Sequence, residues 1–283
     1  MIVKKTISQH ASKKVGLLIA AVGLALIVGH WCLDTVLPNQ LLLEVPRVTE
    51  IGFFETKYLY FLMHLFPIIP IVALSFDKKV AYYKQWKFVF PAVFVVAIPF
   101  WIWDVFKTSE QVWGFNPRYY TLLIGNLPIE EWLFFITFPW ASLFIYECMN
   151  CYFNKSQIII FFDKIDTLWS GFLIVFFLLI GALWWGHLYT VTTFWTAGFL
   201  LLLQFLYGKK SVRLKFYRCL PIMFVPFILV NAVLSGYFTA QPLVIYNPAE
   251  YLGYRFLSIP LDDFVYNFSL ELGVVVAYEW FKS

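Results

Sequence analysis

The stretch Asn126-Leu127-Pro128-Ile129-Glu130-Glu131-Trp132-Leu133-Phe134-Phe135 decides how this chain is read. A proline precedes two adjacent carboxylates. These open an apolar, aromatic run that continues to Tyr146-Glu147 and is long enough to cross a bilayer. The pattern recurs at Ile259-Pro260-Leu261-Asp262-Asp263-Phe264, which leads to Tyr278-Glu279; in both copies proline and last glutamate stand 19 residues apart. Acids in a first turn can simply complement the helix dipole, and proline suits a helix start. Two copies at matching positions, with Glu271 midway along the second run and Asp104 at the end of another apolar stretch, favour chemistry, because acids at membrane depth are costly to keep. Glu147 and Glu279 fall at the far ends and are expected to be structural.

Composition sets the frame. The chain has 283 residues, 61% hydrophobic and only 13% charged, with a mean hydropathy of +0.74. Soluble domains carry about 25% charge, so this is an integral membrane protein of the all-α class. Its 12 Trp, 17 Tyr and 32 Phe exceed what interfacial belts require. Most are expected to pack against lipid and each other, and some to line an apolar cavity. The net charge of +4 resides largely in short loops, which reads as topology and not as nucleic-acid binding. Four Cys give no disulfide framework, and the lone Cys148-x-x-Cys151 has no partner pair for a metal.

Hydropathy predicts eight spans, at 15–36, 58–76, 86–105, 129–149, 168–188, 193–207, 220–238 and 261–281. The first has a basic start and no clear small-residue cleavage site, so it reads as a signal anchor. With the N-terminus cytoplasmic, 16 Lys and Arg fall inside and five outside, which places both termini in the cytoplasm and the chain in the cell membrane. The chain is also duplicated. Lys78-Lys79 matches Lys209-Lys210, and Asn116-Pro117 matches Asn247-Pro248, each 131 residues on; Pro128 matches Pro260 at 132, and Pro99 matches Pro226 at 127. Two parallel four-helix repeats are expected, with a site where they meet. The expected divisions are 1–57 (anchor and loop), 58–155 (first repeat core) and 156–283 (second repeat).

In this arrangement Asp104, Glu130, Glu131, Asp262 and Asp263 gather in one half of the membrane, with Asn231 at a similar depth. Asp263, Asn267 and Glu271 recur every fourth residue on one helix face, and Phe134, Phe135 and Phe138 lie beside the first acid pair. Burial and a like-charged neighbour both favour a protonated carboxyl, which can act as a Brønsted acid. Aromatic faces stabilise a carbocation. Acid plus aromatics suits protonation of an alkene. No G-x-G-x-x-G fingerprint marks a nucleotide cofactor. His10, His30, His64 and His187 are scattered and read as packing residues.

Pro128-Ile129-Glu130-Glu131-Trp132-Leu133-Phe134-Phe135 resembles the signature of the small membrane lycopene cyclases, which occur as two subunits or as one fused chain. Ser75-Phe76-Asp77-Lys78-Lys79-Val80-Ala81, Ile98-Pro99-Phe100-Trp101-Ile102-Trp103-Asp104, Val112-Trp113-Gly114-Phe115-Asn116-Pro117 and Ile259-Pro260-Leu261-Asp262-Asp263-Phe264-Val265-Tyr266-Asn267-Phe268 are similar to that family in the same order. The resemblance runs from about Tyr58 onward and implies cofactor-free, redox-neutral cyclisation of a linear carotenoid such as lycopene, with the β ring as expected product. It makes Glu130 and Glu131 the leading catalytic candidates, then Asp262 and Asp263, with Glu131 as the acid because it sits deeper. Asp104 and Glu271 join them from depth and periodicity, Glu271 as a proton acceptor. Trp103, Trp132, Phe134, Phe135, Phe138, Asn231, Tyr266 and Asn267 are the expected substrate lining. Membrane lipids are expected partners, and contact with other carotenoid enzymes is compatible with this reading. Two rival classes are a metal-dependent, aspartate-rich membrane prenyltransferase and a lipid or proton-coupled transporter. Chelator sensitivity identifies the first, and transport without a covalent product identifies the second.

Overall fold

The computed structural model describes residues 51–153 and 157–283. The expected anchor at 15–36 lies outside them. The described residues form seven long helices: α1 (Leu59–Ser75), α2 (Trp86–Ser109), α3 (Ile129–Tyr152), α4 (Gln157–Leu183), α5 (Leu188–Tyr207), α6 (Lys210–Leu234) and α7 (Leu261–Lys282). Five of these are long and apolar enough to cross a membrane. Helix α1 is shorter, and α7 carries four acids. The all-α membrane fold expected from composition is therefore present.

Six short strands connect the helices: β1 (Trp113–Phe115), β2 (Leu123–Ile124), β3 (Leu127–Pro128), β4 (Val244–Tyr246), β5 (Arg255–Phe256) and β6 (Ile259–Pro260). Pro128 and Pro260 close the hairpins β2–β3 and β5–β6, and the acid pair follows at once in the first turn of α3 or α7. Proline carries no N–H and has a fixed φ, so it ends each hairpin and points the chain into a helix. The hairpin turns are also matched: Gly125 (φ +68°) in one and Leu257 (φ +56°) in the other hold left-handed backbone.

The duplication is visible in three dimensions. Helices α1, α2 and α3 correspond to α5, α6 and α7. Each acid-bearing helix packs on the first helix of its own repeat and on the middle helix of the other, α3 on α6 and α7 on α2. Between the repeats β1 pairs antiparallel with β4, with Gly114 opposite Ile245. Asn116 N donates to Leu243 O at 2.8 Å and Asn247 N donates to Val112 O at 2.9 Å. The two bonds are exchanged by a local pseudo-twofold relation centred on this ribbon.

Several span limits differ from the hydropathy reading. The span read at 168–188 is α4, Gln157–Leu183, and the one read at 220–238 is α6, Lys210–Leu234. Both begin earlier because charged residues in their first three turns are paired within the helical layer. Arg213 of α6 binds Asp166 of α4, Nε to Oδ1 at 2.8 Å, and Arg218 donates to Asn150 Oδ1 and to Phe153 O. Helix α5 begins at Leu188, five residues before the expected start, with Leu188 N donating to the Glu250 carboxylate at 2.8 Å.

Candidate active site

A cavity of about 60 Å³ lies where the two repeats meet. Asp104 from α2, Glu131 from α3 and Asp263 from α7 all line it, and all three are buried. Trp113 and Phe115 of β1, Val244 and Tyr246 of β4, Phe134, Phe227 and Tyr266 supply apolar and aromatic wall. Asn231 and Asn267 add neutral polar groups.

Each carboxyl is held differently. Glu131 accepts from the Tyr60 hydroxyl of α1. Asp263 accepts from two phenols, Tyr189 at 2.5 Å and Tyr246 at 2.7 Å. Asp104 accepts from the Trp113 indole at 2.8 Å, and its Oδ2 is buried with no hydrogen-bond partner. The Tyr266 hydroxyl and Asn267 Nδ2 are likewise buried and unpartnered. Tyr266 sits among aromatic rings, 5.2 Å from Phe100 and 5.0 Å from Trp103 between centroids.

The first acid of each pair does a different job. Glu130 Oε1 accepts from Thr121 N at 3.0 Å and Thr121 Oγ1 at 2.5 Å. At the matching place Asp262 accepts from Leu252 N at 3.2 Å and from Thr190 Oγ1 at 2.6 Å. These carboxylates fasten the preceding loop to the helix start and do not line the cavity. Glu271 is one helical turn beyond Asn267 on the same face, but it accepts from Ser142 Oγ of α3 at 2.5 Å and also lies outside the cavity. Among the expected lining residues, Phe134, Asn231, Tyr266 and Asn267 reach the space. Trp103 and Phe135 pack behind Tyr266, and Phe138 packs 4.3 Å from Phe134 between centroids. Trp132 turns away and donates its indole N–H to Ile124 O at 3.3 Å. His64, read as packing, sets Nε2 2.9 Å from Glu130 O. Sequence reasoning missed the three phenols, Trp113 as a carboxylate partner, and Phe227. The signal for two phenols was present: Tyr60 and Tyr189 occupy the second position of matching helices.

A second cavity, about 320 Å³ and lined entirely by apolar and aromatic side chains, opens between α4, α6 and α7. Phe227 of the acid cavity touches two of its lining rings, Phe224 and Phe264, at 5.8 and 5.1 Å between centroids.

The lycopene cyclase family model matches the chain twice, over residues 57–149 and 186–281, which together make two thirds of its length. The chain belongs to the lycopene cyclase family. The two matched segments are the two structural repeats, and each contributes one acid pair to the junction. A linear carotenoid substrate and a carotenoid cyclase activity follow from membership. No curated protein and no solved structure matches the chain.

Proposed function

We propose that this lycopene cyclase converts the acyclic ψ ends of lycopene to β rings, giving γ-carotene and then β-carotene, within the cell membrane and with both chain ends in the cytoplasm. The orientation rests on the excess of Lys and Arg on the inner side. The reaction rests on one observation above all: three buried carboxyls from both repeats share a small cavity whose lining is half aromatic.

Glu131 delivers a proton to C2 of the ψ end, leaving a tertiary cation at C1. The C5=C6 double bond attacks C1, forms the C1–C6 bond and moves the positive charge to C5. Loss of the C6 proton restores a C5=C6 double bond and closes the β ring. Asp104 and Asp263 are the other cavity carboxyls, placed to receive that proton. One proton enters and one leaves, so product and substrate are isomers. Crowded carboxyls in a cavity resist ionising together, which favours a proton held on one of them. Tyr266, Trp113 and Phe134 offer ring faces to the cation.

A cavity that holds benzene measures about 150 Å³, so a ψ end enters the 60 Å³ space only when wall side chains swing aside. The conjugated chain is assigned to the larger apolar cavity beyond Phe227 and Phe264. Expression in lycopene-accumulating cells, followed by pigment analysis, tests the function. Cyclic carotenoids are expected; an unchanged lycopene pool with the protein folded in the membrane overturns it.

A further inference from the structure

The two halves of the cavity share a backbone plan but differ in polarity, and the differences fall on matched positions. By the ribbon pairing, Phe115 of β1 matches Tyr246 of β4. By the hairpin pairing, Leu123 of β2 matches Arg255 of β5, since each lies opposite its proline. Tyr60 and Tyr189 match each other: Tyr60 N donates to Tyr119 O, and Tyr189 N donates to Glu250 O, 131 residues later. So Glu131 and Asp263 each receive one phenol from the first helix of their own repeat, while Asp104 accepts from an indole. Only Asp263 receives a second, from Tyr246, because the first repeat has the bare ring of Phe115 there. The Arg255 guanidinium lies 5.4 Å over the Tyr246 ring, whereas the first repeat places leucine at that site.

We infer that Tyr246, backed by Arg255, is the positioning residue that fixes Asp263 as the anion of the pair and so leaves the transferable proton with Glu131. Two short phenol donors and a nearby cation favour a carboxylate over a carboxylic acid. Glu131 has one donor and no cation. It faces Tyr60 from α1, Asp104 from α2, Tyr246 from β4, and Asp263 and Tyr266 from α7, with Glu130 beside it on α3. Asp263 faces Tyr189 from α5, Tyr246 from β4, Arg255 from β5 and Glu131 from α3, with Asp262 beside it and Tyr266 further along α7. Burial, then the Asp263 charge, pushes the Tyr246 phenol well above its ordinary value, so it stays a donor across any working pH. The inference rests on the cyclase reading for its catalytic meaning, while its charge assignment has a separate readout.

The test uses full-length protein in lipid nanodiscs, with infrared absorption of protonated carboxyls and the pH profile of lycopene cyclisation measured on the same preparations. Near neutral pH, Glu131→Gln is expected to lose one band of the protonated-carboxyl absorption, to which buried Asp104 and Glu271 also contribute, and Asp263→Asn to keep that band. Tyr246→Phe is expected to gain such absorption, to cyclise about 10–100-fold more slowly, and to need a higher pH on the acidic side of the profile, because Asp263 then ionises less readily. Phe115→Tyr offers Glu131 a second phenol and is expected to remove the Glu131 band and shift the alkaline side to lower pH. Loss of the band in Asp263→Asn but not in Glu131→Gln overturns the assignment. So does a slower Tyr246→Phe with both band and profile limits unmoved, which marks a merely structural tyrosine, or a Phe115→Tyr protein that keeps the band. The expected bands without any cyclic product leave the charge assignment standing and refute the cyclase reading.

Discussion

Glu130 and Glu131 are neighbours in sequence with opposite surroundings. Glu131 meets one phenol and the cavity, while Glu130 fastens residue 121 to the start of α3. Glu131→Gln is therefore expected to lower cyclisation by about 10²–10⁴-fold, the usual worth of a general acid, with little change in thermal unfolding. Glu130→Gln keeps the side chain's shape but weakens two charge-assisted bonds, and is expected to cost about 1.5–3 kcal/mol of stability. Denaturation in detergent and pigment analysis separate the two. Full activity in Glu131→Gln removes it from the acid's role. The adjacent acids were legible in the sequence because their pattern is local and repeated. Their division of labour was not, since the deciding partners are remote: Tyr60 is 71 residues from Glu131, and Tyr189 is 74 from Asp263. Glu271 shows the converse. Its four-residue spacing from Asn267 was correct as helix geometry, but one turn further along α7 the neighbour is Ser142 of α3 and no longer the cavity.

Among elements, the helix limits that hydropathy misplaced are those where charge is neutralised internally. A window that averages hydropathy rejects Asp166 and Arg213, yet each is at most 4% exposed and the pair joins α4 to α6. Helix α4 falls between the two family-matched segments, and this pair ties it to the second repeat together with the Ser170–Tyr217 hydroxyl pair at 2.7 Å. Removing one partner strands a charge away from water, which costs about 3–5 kcal/mol, whereas replacing both with apolar residues can be neutral. Asp166→Leu alone is expected to lower the unfolding temperature sharply, and Asp166→Leu with Arg213→Met to restore much of it. Equal losses in the single and double variants would show that the pair is more than a charge balance. The hairpins offer a smaller test. Leu257 takes φ +56° where the first hairpin has Gly125 at +68°. A left-handed conformation costs a β-carbon-bearing residue roughly 1–2 kcal/mol, partly offset by the greater unfolded-state freedom of glycine. Leu257→Gly is expected to stabilise the protein by a few tenths to about 1 kcal/mol, read from its thermal unfolding; a destabilised variant would mean that the leucine side chain contributes more than its backbone strain costs.

At the scale of the whole molecule, the consequence of duplication is one shared cavity in place of two separate ones. Its acids come from both repeats, and the β1–β4 ribbon that bridges them is built half from each. Neither half alone can assemble the carboxyl set. A chain divided between Phe153 and Gln157 is therefore expected to cyclise lycopene only when both pieces are expressed together, and an active single piece would refute a junction site. The same geometry fixes the order of events. Lycopene has two ψ ends and the described residues bring the three acids to a single cavity, so the proposed cyclisation of both ends requires that they be presented in turn, with the substrate withdrawn or reversed between them. Synchronised turnover in membranes is then expected to show the monocyclic product rising first and the bicyclic product after a lag, with the lag shortened when enzyme exceeds substrate. Bicyclic product appearing without delay at limiting enzyme would require both ends to react during one residence, which a single acid set spanning the repeat junction does not allow.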